Sequence, residues 1–106
     1  MKKDFGSPFQ ATATHATSAV ATVSGITDKT HYITDIAGST DKAGALLLVK
    51  QGSTVIWQVQ MAASAAGNCA FQQSFQTPLK APASTDVSIT VDGSSVCDSN
   101  IAGFTV

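Results

Sequence analysis

The chain has 106 residues and a formal net charge of -1, and only 12% of its residues are charged. That length fits a single domain of common size. Ordinary soluble domains contain about 25% charged residues, whereas this chain has neither Arg nor Glu. Hydroxyl and amide groups must therefore supply most of its surface polarity. The six lysines are scattered along the chain, so no basic stripe favours a nucleic-acid partner.

The N-terminal sequence gives no sign of export or membrane insertion. Lys2 and Lys3 are followed by "DFGSPFQ", where a secretory signal needs an apolar run. No uninterrupted apolar stretch approaches the roughly 18 residues of a membrane-spanning helix. We therefore expect a soluble protein made in the cytoplasm, without a membrane partner.

Residues 1–17 place Phe5 and Phe9 in a background of Gly, Pro, Ala and Thr that lacks sustained periodicity. Such a segment is either a frayed terminus or an extended arm that lies on a neighbouring molecule. We predict an N-terminal arm over 1–17, with Phe5 and Phe9 as partner contacts, and a β-sandwich domain over 18–106.

The remainder of the chain predicts an all-β fold. Short segments rich in β-branched and aromatic residues alternate with turn clusters, which is typical of an antiparallel β-sandwich or jelly roll. The predicted strands cover residues 18–26, 31–37, 44–50, 54–61, 69–75, 86–91 and 100–106, with a short piece at 94–97. This gives seven or eight strands. The Ala-rich stretch at 61–66 allows at most one helical turn.

The segment "TPLKAPASTDVSITVDG" predicts a change of sheet. Pro78 and Pro82 cannot donate hydrogen bonds to a strand ladder, so they indicate an extended edge or crossover segment. In the strand that follows, Val87, Ile89 and Val91 alternate with polar residues. One face of that strand should therefore lie in the core.

Two predicted strands are apolar on both faces. "ALLLV" is continuous, and Ile56 lies on the face opposite to Val55, Trp57 and Val59. Strands that are apolar on both faces usually have both covered. Since the chain predicts no long helix, a second subunit would supply that cover. We predict a homo-oligomer with Leu47, Val49 and Ile56 at its interface.

Groups with catalytic or ligand-binding chemistry are sparse. His31 and Asp35 fall on one face of a predicted strand, but no nucleophile elbow accompanies them. Neither phosphate-binding glycine motif occurs, and His15 and His31 lack the spacing of metal ligands. We predict no catalytic residues, no cofactor and no metal.

The aromatic residues and the cysteines leave two alternatives open. Trp57 and Tyr32 could stack on sugar rings, although Trp57 shares a strand face with valines and core packing is the favoured interpretation for it. Cys69 and Cys97 are favoured as buried free thiols. A bridge between them would close a loop of about 28 residues, provided that their Cα atoms approach within about 7 Å.

Three segments, "TVIWQVQMAA", "FQQSFQTPLKAPASTDVSITVDGSS" and "NIAGFTV", resemble small virion proteins of tailed bacteriophages. The resemblance spans about residues 20–106 and implies a β-sandwich or jelly roll, usually trimeric. It assigns framework roles to Trp57 and Gln58, to residues 77–81 and to residues 100–104.

The resemblance also implies a function. We expect a structural virion protein, made in the bacterial host and located on the capsid surface, that binds the major capsid protein as a head decoration (cement) protein. Three weak contacts per trimer would suffice, because they act together. The alternative is a tail, baseplate or fibre module with a host glycan as its ligand.

Overall fold

The computed structural model describes residues 7–42, 44–60 and 69–106. Its eight strands form two antiparallel sheets of four strands each, so the all-β sandwich prediction is confirmed. The strands are β1 (Ser7–His15), β2 (Ser18–Val23), β3 (His31–Thr40), β4 (Leu46–Gln51), β5 (Thr54–Gln60), β6 (Cys69–Lys80), β7 (Val87–Asp92) and β8 (Cys97–Thr105). Within the described residues, no helix is long and apolar enough to cross a membrane.

The strand order is that of a jelly roll. Sheet A has the order β1-β8-β3-β6, and sheet B has the order β2-β7-β4-β5. The antiparallel partners are nested, because β1 pairs with β8, β2 with β7, β3 with β6 and β4 with β5. The chain thus resembles one long hairpin, with its tip at β4–β5, that is rolled so that successive pairs alternate between the sheets.

Most of the segment predicted to be an arm is a strand of sheet A. β1 pairs with β8 along its whole length, from Ser7 opposite Thr105 to His15 opposite Cys97. Its alternate residues Phe9, Ala11 and Ala13 pack against the core. The arm prediction is wrong for β1 because its alternating pattern is formed mainly by alanines, which have weak strand propensity. Phe5 lies outside the described residues.

The core lies between the sheets and contains two residues that were predicted to lie at an oligomer interface. Leu47 and Val49 are both 0% exposed, because they pair with Val91 and Ile89 on the inward face of sheet B. Burying a Leu or Val side chain contributes roughly 1.5–3 kcal/mol. The interface prediction is therefore wrong for these two residues, and it is their strand neighbours that face outward.

A β-bulge in β5 explains the third predicted interface residue, Ile56. The register of β4 with β5 shifts so that Val49 faces Trp57 while Lys50 faces Val55, which leaves Ile56 as the extra residue. Both Ile56 and Trp57 pack against the core. Ile56 is therefore also partly covered by its own subunit.

Aromatic side chains close the sandwich where the two edge strands β5 and β6 meet. The ring of Trp57 lies 5.9 Å from that of Phe71 and 5.5 Å from that of Phe75, measured between centroids. The contact with Phe75 is edge-to-face, an arrangement that stabilises by about 0.5–1.5 kcal/mol beyond burial. Trp57 is thus partly buried and packs against the core, as the sequence analysis favoured.

The chain changes sheets where the prolines predict it. β6 is the edge strand of sheet A and runs to Lys80, with Pro78 inside it, and residues 81–86 then lead to β7 in sheet B. An edge strand tolerates proline because one side of its backbone has no partner strand. The helical turn considered at 61–66 lies outside the described residues.

One aspartate ties two turns together. The Asp41 carboxylate, after β3, accepts hydrogen bonds from the backbone N–H groups of Ser94 at 2.8 Å, Ser95 at 3.0 Å and Val96 at 3.3 Å. The Ser95 hydroxyl donates to it as well. These bonds, the Ser95 hydroxyl foremost, hold the pKa of Asp41 far below its usual value.

Candidate binding surfaces

The structure separates the one acid–base pair that the sequence suggested. A register shift between Ile33 and Asp35 in β3 inserts Thr34 as an extra residue, so His31 faces inward and Asp35 outward. His31 is buried, with Nδ1 at 2.7 Å from the Thr105 hydroxyl and Nε2 at 2.8 Å from the Ser24 carbonyl oxygen. Both ring nitrogens thus have structural partners within the fold. The assumption that the two side chains share a face was wrong, because a bulge reverses the alternation.

The cysteines occupy strands that are not neighbours. Cys69 of β6 and Cys97 of β8 pair with Thr40 of β3 from opposite sides, so two strand spacings, about 9.6 Å, separate their backbones. That exceeds the reach of a disulfide. Cys97 is a buried free thiol, and burial raises its pKa. Among the described residues, no three His, Cys or Asp side chains converge as metal ligands would.

Phe9, the second residue predicted to contact a partner, lines a cleft at one end of the sandwich. The end cleft has a volume of about 240 Å³ and lies between the first residues of β1 and the chain that follows β2. Phe9 packs edge-to-face on His31, with ring centroids 5.2 Å apart. Ile26 and Val106 also line the cleft and are half exposed. Phe9 is therefore engaged in its own subunit and presents only part of its surface.

The outer face of sheet B carries an exposed apolar group, which we call the sheet B patch. It consists of Val20, Leu46, Leu48 and Val55. Val20 is 50%, Leu46 39% and Val55 42% exposed. Cross-strand pairing places Leu48 next to Thr90 and Thr90 next to Val20. Lys50 and Asp92 are the charged residues of this face, and Ser, Thr and Gln supply the rest of its polarity.

The outer face of sheet A holds a shallow groove. The central strands present the small side chains of Ala37, Ser39 and Ala102 on this face, so the backbone itself forms a low floor. Two adjoining depressions, of about 80 and 380 Å³, share Ala37, Gln72 and Asn100 as lining residues. We call the two together the sheet A groove.

Polar side chains line the sheet A groove. Asp35 accepts hydrogen bonds from the hydroxyls of Ser74 at 2.6 Å and Thr34 at 2.8 Å. These bonds lower the pKa of Asp35, so its carboxylate is charged and held in one orientation. The side-chain amides of Gln72 and Asn100 make no hydrogen bond to another described residue. They are available to an external ligand.

An aromatic pair stands next to the groove. Tyr32 and Phe104 stack with their centroids 5.0 Å apart and their planes inclined by 12°. They pair across β3 and β8. The next outward-facing pair along these strands is Asp35 with Ala102. Tyr32 was a predicted candidate for sugar contact. The resemblance assigned only framework roles to Phe104 and Asn100. The groove forms through the register of β3 with β6 and β8, which no sequence motif revealed.

Comparisons with known proteins find only distant similarities of fold. No protein-family model matches the sequence, and no curated protein matches it. A chain of the virus-like particle of the Macrobrachium rosenbergii extra small virus is similar in fold, with 14% identity, a TM-score of 0.40 and coverage of 98% of this chain and 82% of that one.

Two further solved structures are similar in fold at a comparable distance. The carbohydrate-binding module CsCBM6-3 of Clostridium stercorarium has 11% identity and a TM-score of 0.44, over 85% of this chain and 70% of that one. A Bacillus endospore appendage, a disulfide-linked pilus, has 11% identity and a TM-score of 0.38, over 98% of this chain and 94% of that one.

Proposed function

We propose that this chain is a structural protein of a bacteriophage virion, a trimeric decoration (cement) protein that binds the major capsid protein on the capsid surface. It would be made in the cytoplasm of the bacterial host. The resemblance of its strand segments to small phage virion proteins supports this proposal. The observation that carries it is the sheet B patch.

The sheet B patch suits contact between protein chains. Half-exposed apolar side chains such as Val20, Leu46 and Val55 gain roughly 25 cal/mol for each Å² removed from water. With Lys50 and Asp92 as the charges of that face, burial carries little charge-desolvation cost. Contacts between copies would therefore use the outward residues of β4, and not Leu47 and Val49.

The end cleft is the proposed contact with the shell. Its lining includes Phe9, one of the two residues predicted to contact a partner, beside the half-exposed Ile26 and Val106. A single cleft of about 240 Å³ offers only a small contact. Three such contacts per trimer act together and bind far more tightly than one, provided that the shell presents matching positions.

Light scattering after size exclusion tests the trimer. We expect the wild type to elute as a trimer and the double variant Leu46→Lys, Leu48→Lys to elute as a monomer with an unchanged circular dichroism spectrum. Thr14→Lys, on the outer face of sheet A, is the matched control and should remain trimeric. A monomeric wild type would contradict the oligomer.

Cryo-electron microscopy of purified particles tests the location. We expect density for this chain at regular positions on the capsid shell, and particles that lack the protein should rupture at lower temperature than wild-type particles. Shells without such density, or particles of unchanged stability, would contradict the decoration role.

A second candidate function is a tail, baseplate or fibre module that binds host glycan. The observation that favours it is the Tyr32–Phe104 pair on the outer face of sheet A, since aromatic side chains pack well against the apolar faces of sugar rings. Antibody labelling of intact particles separates the two candidates, because gold at the tail supports this one and gold over the head supports decoration.

A further inference from the structure

We propose that the sheet A groove is a binding site for a neutral oligosaccharide, with Asn100, Gln72 and Asp35 as the hydrogen-bonding residues and Tyr32–Phe104 as the aromatic contact. This inference deepens the second candidate function and rests on its glycan-binding part. It does not depend on where the protein sits on the particle.

The dimensions of the groove fit a chain-like ligand. Its lining extends along β8 from Asp98 to Ala102, four residues apart, which corresponds to about 14 Å at 3.4 Å per residue, and Phe104 of the aromatic pair follows two residues further along the strand. Ala37 and Ala102 keep the floor low over the central part. Several linked sugar rings could lie along this length, whereas a compact ligand would leave most of it empty.

The polar groups match the hydroxyls of sugars. A sugar hydroxyl both donates and accepts, so it pairs with a carboxylate and with an amide. Asp35 is held as an oriented acceptor by Ser74 and Thr34, and the amides of Asn100 and Gln72 have no other described partner. A bound hydroxyl would therefore find preoriented acceptors together with uncommitted donors. Preorganised groups of this kind reduce the cost of binding.

The charges around the groove select against anionic ligands. Asp35 and Asp98 line it, and among its lining residues no lysine is present to neutralise phosphate or sulfate groups. Lys80 pairs with Tyr32, so its positive charge lies beside the aromatic pair and away from the part of the groove that Asp35 and Asp98 line. A neutral sugar chain meets these carboxylates without repulsion, whereas phosphorylated or sulfated chains would be repelled.

The aromatic pair supplies the apolar half of the contact. Tyr32 and Phe104 are partly exposed and stack on each other, so their position is fixed before a ligand arrives. The apolar face of a sugar ring gains from contact with such a surface, and the Tyr32 hydroxyl adds a hydrogen-bonding group. One end of the groove thus differs from the other, which would orient the sugar chain.

A titration of the full-length protein followed by nuclear magnetic resonance tests the site. The probes are cellotetraose, maltotetraose, isomaltotetraose and the tetramer of N-acetylglucosamine, each raised to millimolar concentration. We expect at least one of them to shift backbone amide signals of residues 35–39, 70–74 and 98–104. Asn100→Ala should weaken that binding about tenfold, the equivalent of one hydrogen bond to a bound ligand. Thr90→Ala, a partly exposed residue on the other sheet, is the matched control and should bind as the wild type does.

Three results would overturn the proposal: no shift with any of the four sugars, shifts confined to the sheet B patch or the end cleft, or unchanged affinity in both Asn100→Ala and Gln72→Ala. Both substitutions lie on the outer face of sheet A, outside the core. The nuclear magnetic resonance spectrum of each free variant shows whether its fold is intact. Particle labelling is a separate readout. If gold marks the head while the groove signals still shift, the tail location fails and the sugar site stands.

Discussion

Two adjacent leucines of β4 offer the sharpest test of the fold. Leu47 is fully buried between the sheets, whereas Leu46 is 39% exposed on the outer face of sheet B. The same substitution, Leu→Ala, removes the same atoms from both positions. Any difference in stability therefore reports which face of β4 lies in the core.

The expected magnitudes differ by several kcal/mol. Truncating a fully buried leucine costs about 3–5 kcal/mol, because the lost transfer energy adds to the cost of the cavity. That is a large share of the roughly 5–15 kcal/mol that stabilises a domain of this size. At Leu46 we expect about 1 kcal/mol, since part of the side chain is already in water and no closed cavity forms.

Urea unfolding measures both free energies. Trp57 is the single tryptophan of the chain and packs between the sheets, so its fluorescence follows loss of the core. With a urea slope of about 1.5–2 kcal/mol per M, Leu47→Ala should lower the midpoint by roughly 2 M, and Leu46→Ala by about a quarter of that.

The concentration dependence separates core from interface. A residue that acts through an oligomer contact changes stability in a way that depends on protein concentration, whereas a core residue does not. We expect the loss in Leu47→Ala to be the same at any concentration. Equal losses at the two positions, a larger loss at Leu46, or a Leu47 effect that grows on dilution would refute the assignment of faces in β4.

Three further outcomes follow from the same structure. In a Cys69→Ser background, Cys97 should react with a thiol reagent orders of magnitude more slowly in the native protein than in denaturant, because burial raises its pKa; equal rates would contradict this. The lowered pKa of Asp41 means that its contribution to stability is present above about pH 4 and is lost as the pH falls towards the folded-state value. Asp41→Asn should therefore be less stable at neutral pH and show a shallower acid dependence in urea melts. Gly103→Ala should cost about 3 kcal/mol by the same melts, since its added methyl would overlap the Tyr32 carbonyl; a neutral effect would contradict the β3–β8 register.

The sequence predicts much of the sheet because burial imposes strict alternation. Val87, Ile89 and Val91 were expected on one face, and all three are 0% exposed. The hairpin of β4 with β5 and the proline-bearing edge strand were also predicted correctly. In each case the pattern is local in the sequence and needs no knowledge of strands that are distant along the chain.

The errors arise where alternation is weak or broken. β1 escaped detection because alanine and threonine give little contrast between its faces. In β3 and β5 an extra residue reverses the alternation, at Thr34 and Ile56, so His31 and Asp35 separate and Ile56 turns towards the core. A bulge of this kind depends on cross-strand pairing, and sequence spacing alone cannot place it.

The sheet A groove could not be predicted for a related reason. Asp35, Gln72 and Asn100 are far apart in the sequence and become neighbours only through the register of β3 with β6 and β8. Each residue alone is an ordinary polar side chain on the outer face of a strand. The pairing turns three unrelated positions into one polar surface with a low floor of alanines.

The geometry of a sandwich links the two proposals. The outer faces of sheets A and B point in opposite directions, because the core lies between them. Copies that meet through the sheet B patch would bury that face near the centre of the assembly and leave the sheet A groove on its outside. A trimer would then present three grooves, and several weak sugar contacts would act together on a surface that displays many sugar chains. The proposed trimer would therefore raise the avidity of the proposed sugar site: Leu46→Lys with Leu48→Lys should leave the affinity of one groove for a soluble tetrasaccharide unchanged, yet weaken attachment to immobilised polysaccharide by at least about tenfold. Equal losses in both measurements would mean that the substitutions damage the groove itself.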